Sequence, residues 1–359
     1  MIINSLKLTN FRNFAKYELR PDRVTILVGP NGVGKTNIVE AIFLLSVCRS
    51  YRTRRDAEVI KWGENVARVA VESKSDAGDE LKIAVAQDGD KKIAFAGDKP
   101  VPVSLLVGRL PTVVFAPEIM ELPVDLPAKR RRQLDILASQ VKPSYTQLLL
   151  GYHRILKARN KLLDGIAYGR NRPGELEFWD KELVKCGQQI LTQRNDIILS
   201  LNEVLNSCFQ RINNTLTKGE RMLRFEYMAT ITDTACYTEE LAAAKERDLR
   251  YRNTTVGPHR DDWHLLFDNV DIRVAASRGE TRAALLAFKM AEMAVLRAQR
   301  GEVPVLLLDD VFAELDKHHS EALLDFIGDA QTIVTATDAE YIPKSFKDKA
   351  KIVELQVES

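Results

Sequence analysis

Val24-Thr25-Ile26-Leu27-Val28-Gly29-Pro30-Asn31-Gly32-Val33-Gly34-Lys35-Thr36 is the stretch whose reading decides the fold. Its first five residues are β-branched or aliphatic, fit for a strand buried on both faces. Its last eight match G-x-x-x-x-G-K-[ST], and the following NIVEAIFLL, residues 37–45, has helix length. In that strand–loop–helix setting the backbone of Gly29, Pro30, Asn31, Gly32, Val33 and Gly34 wraps phosphate oxygens at a helix N-terminus. Lys35 is expected to reach the β- and γ-phosphates, and the Thr36 hydroxyl to ligate Mg²⁺. The chain is therefore read as a binder of a nucleoside triphosphate.

Working outward, residues 305–310 read VLLLDD, an apolar strand ending in two carboxylates. Asp309 suits the Mg²⁺ shell opposite Thr36, and Asp310 the general base that orients water. Residues 313–316, AELD, follow at the distance of a D-loop. Residues 276–282, ASRGETR, open a helix upstream of that strand. Ser277 and Gly279 there offer a hydroxyl and bare N–H groups to a γ-phosphate held by a facing subunit, with Arg278 adding charge. The same residues also form a plain capping box, Ser277-x-x-Glu280, and both readings stand together.

The chain has 359 residues, 45% hydrophobic and 28% charged, with 52 basic against 50 acidic side chains. A net charge of +2 does not announce a nucleic-acid binder, so such a function must rest on local patches. No secretory leader or apolar stretch of membrane-span length is apparent, and four scattered cysteines make no C-x-x-C pair. A cytoplasmic protein without a membrane partner is expected.

Strand texture marks residues 2–8, 67–72 and 81–86, with Asp88-Gly89-Asp90 as a turn. Residues 145–212 turn helical: Trp179, Leu183, Cys186, Ile190, Ile197, Leu201, Val204 and Cys208 recur at helical spacing. RNRPG at 170–174 is the expected turn between two antiparallel helices, and Gln193 and Ser200 argue against an extended coiled coil. The expected division is an N-terminal nucleotide-fold half at 1–115, a mainly helical insertion at 116–253, and a C-terminal half at 254–359.

The ASRGETR segment resembles the signature motif of ATP-binding-cassette ATPases. The combination with LTNFRNF (8–14), YRTRRD (51–56), FAPE (115–118), KRRRQLD (129–135), TVGPHRDD (255–262) and 309–316 resembles the RecF family of repair ATPases, relatives of the SMC heads. The likeness runs over nearly the whole chain. It implies an α/β fold, an ABC/SMC-head-like P-loop ATPase with mixed sheets plus a helical insertion lobe. It also implies an ATP-dependent homodimer that binds DNA, hydrolyses ATP slowly with DNA stimulation, and helps load recombinase at single-strand gaps. RecR and RecO are the partners implied. Departures are Glu280 for the usual glutamine, Asp125 and Gln133 beside the arginine cluster, and Asp310 where an aspartate–glutamate pair is common. Thr337 falls near the cassette switch histidine.

Two basic clusters are candidate DNA contacts: Arg49, Arg52, Arg54 and Arg55, and Lys129, Arg130, Arg131 and Arg132. Guanidinium forks bind phosphate oxygens in bidentate fashion, although a solvated or salt-bridged face is the plainer reading of either run. Neither cluster carries an interleaved aromatic, so base stacking is not indicated. Arg260, Asp261 and Asp262 are expected to brace the nucleotide lobe, His259 either to lie near the nucleotide or to be structural, and His318-His319 to be surface. The alternative function is the energy subunit of a membrane importer. A regulatory GTPase is disfavoured, since N-K-x-D is absent and Asn160-Lys161-Leu162-Leu163 fails it.

Overall fold

The computed structural model describes all residues except 54, 75–79, 87–90, 121–125, 214–220 and 357–359. The expected turn at 88–90, together with Arg54 and Asp125, lies outside the described residues.

The strand read at the head of the phosphate loop, Val24–Val28, is inside a five-stranded parallel sheet. Its order is Lys351–Glu354, Val24–Val28, Thr332–Ala336, Val305–Asp309, Thr112–Phe115. Apolar side chains on both faces let this sheet be covered from two sides. The strand Val305–Asp309 shows how: Val305 and Leu307 join one core with helix Lys35–Val47, while Leu306 and Leu308 join a second core with helix Arg278–Arg300. The first core is closed by a six-stranded antiparallel sheet in the order Phe14–Leu19, Ile2–Phe11, Val66–Lys74, Glu80–Ala86, Lys92–Ala96, Lys99–Val101. One parallel and one antiparallel sheet thus share a layer of helix.

Helices Pro143–Ala167 and Leu176–Asn213 are joined through the 3₁₀ turn Pro173–Glu175, where Arg172 N–H donates to Glu175 at 2.7 Å. The longer helix has 38 residues, about 57 Å at 1.5 Å per residue. Its stripe buries Leu183, Ile190, Ile197, Leu201 and Cys208, packing on helices Pro143–Ala167 and Arg278–Arg300. The helical periodicity gives no sign of strand Leu223–Met228, which pairs antiparallel with Asp262–Phe267.

Two buried arginines fix this region. Arg159, fully buried, donates to Asp248 at 2.7 Å, Asp180 at 2.7 Å and Thr254 at 2.8 Å. Arg194 donates to Asp135 and to the Pro258 carbonyl, each at 2.7 Å, and to the Tyr227 hydroxyl at 3.0 Å. Asp261 is fully buried and accepts from Thr230, and Asp262 receives the fork of Arg130, so TVGPHRDD braces the helical side of the molecule. His259 belongs to that brace: Nδ1 lies 2.7 Å from the Tyr152 hydroxyl and Nε2 3.0 Å from the Thr254 carbonyl. Burial pulls its pKa down to about 4, so the ring is neutral near pH 7. The expectation of a surface pair at His318-His319 is corrected. His319 is buried against its N-cap Asp316 at 2.8 Å, and His318 lies 2.6 Å from the Ile212 carbonyl. The Asp316 N-cap bonds both the backbone N–H and the ring of His319, while His318 turns to helix Leu176–Asn213.

Removing Arg159 leaves Asp248 charged and buried. Arg159→Ala is expected to lower unfolding free energy by about 3–5 kcal/mol, read as a drop in the urea midpoint at unchanged slope.

Candidate nucleotide-binding site

The phosphate loop leaves strand Val24–Val28 and enters helix Lys35–Val47 through backbone that only glycine adopts readily. At Gly34 φ is 113°, and a Cβ there would meet Phe14 Cζ at 2.6 Å and the Asn13 amide at 2.8 Å. Asn13 holds the loop from outside, donating to the Val33 carbonyl at 2.8 Å and accepting from Asn37 at 2.8 Å. Lys35 is buried within the loop and donates to the Gly29 carbonyl at 2.6 Å and the Pro30 carbonyl at 3.0 Å. Asn31 lies 3.4 Å from the Thr337 hydroxyl, so the predicted switch position does face the loop.

Parallel register sets the other half. Val334 pairs with Ile26 and Leu308, so strand ends Val28, Ala336 and Asp309 finish on the same edge. Thr36 Oγ1 consequently donates to Asp309 Oδ1 at 2.9 Å, joining residues 273 positions apart. Thr335 Oγ1 donates to the same oxygen at 2.7 Å and accepts the Asp310 N–H at 2.9 Å. The Tyr51 hydroxyl donates to Asp309 Oδ2 at 3.1 Å. Asp310 sits in the left-handed region, φ 52°, half-buried at the start of the next turn. Burial first, then the neighbouring Asp309 charge, raise its pKa above the ordinary aspartate value, with Lys35 opposing. The hard hydroxyl and carboxylate oxygens of Thr36 and Asp309 are a donor set that would fit Mg²⁺. Among the described residues no cluster of three or more His, Cys, Asp or Glu forms a closed metal cage.

Sequence reasoning misses Tyr51 and Thr335. Tyr51 lies within a motif read for its arginines, and Thr335 within a strand read for burial. Glu40 is a further one: buried in helix Lys35–Val47, it takes the fork of Arg12 at 2.6 and 2.9 Å and the Ser50 hydroxyl. That pair ties the LTNFRNF turn to the phosphate-loop helix.

Ser277 is the exposed N-cap of helix Arg278–Arg300. It accepts from Glu280 N–H at 3.3 Å, and Glu280 accepts from Ser277 N–H at 2.8 Å. The capping box therefore forms, and Arg221 adds an ion pair to Glu280 at 3.0 Å. A Cβ on Gly279 would meet nothing within 4 Å, leaving the helix N-terminus open. Among the described residues no hydrogen bond or ion pair joins Ser277 or Gly279 to the phosphate loop of the same chain.

The basic clusters are not uniform. Arg130 is 2% exposed and its fork is bidentate on Asp262 at 2.6 and 2.8 Å, which withdraws it from the predicted DNA contacts. Arg131 donates to the Asp261 carbonyl and Arg132 to the Ser50 carbonyl, both at the surface in part. Arg52 pairs with Glu40 and Asn37 while one-third exposed, and Arg55 is exposed.

The family model for the RecF/RecN/SMC N-terminal domain matches residues 2–357. The DNA replication and repair protein RecF of Agathobacter rectalis is 36% identical, across 100% of this chain and 99% of its own. The chain belongs to the RecF family. RecF proteins are DNA replication and repair proteins, and the fold class is that of their SMC-like ATPase head. A solved structure of the recombination mediator RecF–ATP in the RecFOR pathway superposes with a TM-score of 0.87 at 29% identity, covering 95% of this chain and 93% of that one. A Pyrococcus furiosus Smc head shares the fold at a TM-score of 0.53 and 16% identity, covering 99% of this chain and 94% of that one. Family membership favours repair over the importer reading, and no helix among the described residues is long and apolar enough to cross a membrane.

Gly34→Ala is expected to abolish binding of a fluorescent ATP analogue while the chain still melts cooperatively by circular dichroism.

Proposed function

We propose that this RecF-family chain is an ATPase whose two copies close over ATP and thereby hold DNA during recombinational repair and replication-fork maintenance. The observation that carries the reading is the 2.9 Å contact of Thr36 with Asp309, together with a bare, serine-capped helix N-terminus that its own phosphate loop does not use. In the proposed sandwich, ATP lies in the loop formed by Gly29, Pro30, Asn31, Gly32, Val33, Gly34, Lys35 and Thr36. Ser277 and Gly279 of a second copy donate to its γ-phosphate. Thr36 and Asp309 would hold Mg²⁺, which would supply charge neutralisation on the phosphate oxygens. Lys35 leaves its carbonyl partners for the phosphates, and Asp310 positions and deprotonates the attacking water. The raised pKa of Asp310 suits a base, because a more basic carboxylate takes the proton more readily. Charge-assisted hydrogen bonds contribute about 1.5–3 kcal/mol each, so a few across the interface suffice to switch a weak dimer.

Arg52, Arg55, Arg131 and Arg132 are the proposed cationic contacts for DNA; Arg54 keeps that role from the sequence reading alone. Slow, DNA-stimulated hydrolysis and a cytoplasmic site of action complete the reading. The RecFOR pathway for which the solved relative is named supports RecO and RecR as partners.

Ser277→Arg is expected to keep ATP affinity within about twofold, since the substitution is exposed, while ATP-induced dimers disappear in light scattering. Normal dimers in that variant would contradict the sandwich. Duplex binding that requires ATP and weakens steeply between about 50 and 200 mM salt is the matching result for the DNA contacts.

A further inference from the structure

We propose that the cleft where the two basic clusters converge is a second anion site, taking a phosphoryl group on a nucleotide-sized body. The cleft encloses about 590 Å³, within the range of small-molecule sites. Its walls come from the segment after helix Lys35–Val47 and from helices Pro127–Val141 and Pro143–Ala167. Arg49, Arg131 and Arg132 line it together with Thr146, Leu150 and His153.

Charge accounting singles out three guanidinium groups. Two other cations of the lining are already neutralised: Arg194 by Asp135 at 2.7 Å, and Lys92 by Asp56. The hydrogen bonds of Arg131 and Arg132 run to uncharged carbonyls, Asp261 at 2.8 Å and Ser50 at 3.1 Å. Asp262, Asp135 and Asp261 face Arg131 electrostatically and Asp56 faces Arg132, but these carboxylates already hold Arg130, Arg194, the Thr230 and Tyr227 hydroxyls, and Lys92. Arg49 is exposed and has no ion pair with a carboxylate among the described residues. Burial, with the charge of Arg194 for Arg131 and of Arg49 for Arg132, pushes both guanidinium pKa values down. Three like charges thus share one concavity, an arrangement that a phosphoryl anion relieves through forked hydrogen bonds.

A second observation is independent of charge. Thr146 Oγ1 is buried on the cleft wall without a hydrogen-bond partner among the described residues. Buried hydroxyls nearly always find one, and a phosphate oxygen supplies it. Leu149 and Leu150 beside it give apolar surface for the ribose or base of a nucleotide. The site lies apart from the phosphate loop: none of residues 29–36 lines it. The site shares Arg131 and Arg132 with the DNA contacts proposed above, and Arg49 and Thr146 belong to it alone. A free nucleotide and the phosphorylated end of a strand present the same chemistry.

The test uses the full chain carrying Lys35→Ala, so that the phosphate loop is not the reporter. Calorimetric titration with inorganic pyrophosphate at low salt is expected to show binding that Arg49→Ala weakens about tenfold and Thr146→Val weakens measurably. Both substitutions leave the ion pairs of the fold intact, and unchanged melting curves check this. Absence of pyrophosphate binding, or binding indifferent to both substitutions, overturns the proposal. Competition by AMP identifies a free nucleotide, competition by a 5′-phosphorylated but not a 5′-hydroxyl oligonucleotide identifies a strand end, and either supports the site. Displacement by neither overturns its nucleotide-sized character.

Discussion

One carboxylate holds the nucleotide site together. Asp309 accepts from Thr36 at 2.9 Å, from Thr335 at 2.7 Å and from Tyr51 at 3.1 Å, at 2% exposure. These donors come from the phosphate-loop helix, the neighbouring strand and the segment that follows that helix. A buried carboxylate without them would cost several kcal/mol, so the site exists only when both ends of the chain occupy one sheet. The parallel register of Val24–Val28, Thr332–Ala336 and Val305–Asp309 is what brings the phosphate loop, Thr335 and Asp309 to one edge.

The same economy of charge explains why the arginines of the chain behave so differently. Arg159 and Arg194 are interior struts: Arg159 is held by two aspartates and a threonine hydroxyl through Nε and Nη1, and Arg194 by Asp135, two tyrosine hydroxyls and the Pro258 carbonyl. Arg130, only a residue from Arg131, is another strut because its side of helix Pro127–Val141 faces Asp262. Arg131 reaches the Asp261 carbonyl and Arg132 the Ser50 carbonyl, so neither spends its charge on a carboxylate fork. A run of three arginines is therefore split between holding the fold and presenting cations, and the split is set by helical rotation of about 100° per residue.

The phosphate loop, the paired aspartates and the capping box were legible because each binds locally defined chemistry at fixed spacing. The long antiparallel helices were legible from the stripe of Leu183, Ile190, Leu201 and Cys208. Strand Leu223–Met228 was not, since its stability comes from tertiary partners: pairing with Asp262–Phe267 and packing against helix Leu176–Asn213. Arg130 was misread for the same reason, since Asp262 lies 132 positions away, whereas His319 was misread because its contact with the N-cap Asp316 follows from where the helix starts. Tyr51, Thr335 and Glu40 lacked a spacing signature altogether. Their roles follow from where a register or a helix turn leaves one oxygen.

What remains to be tested above all is whether a phosphate loop on one copy is completed by the serine-capped helix of another. Mixing equal amounts of a Lys35→Ala chain and a Ser277→Arg chain, each inactive alone, gives heterodimers with one whole composite site. The account predicts that ATP hydrolysis, absent from each chain alone, returns in the mixture to at most about half of the parent rate, since each heterodimer across a two-fold interface carries one whole site of two. A mixture that stays at the background of the separate chains would contradict it.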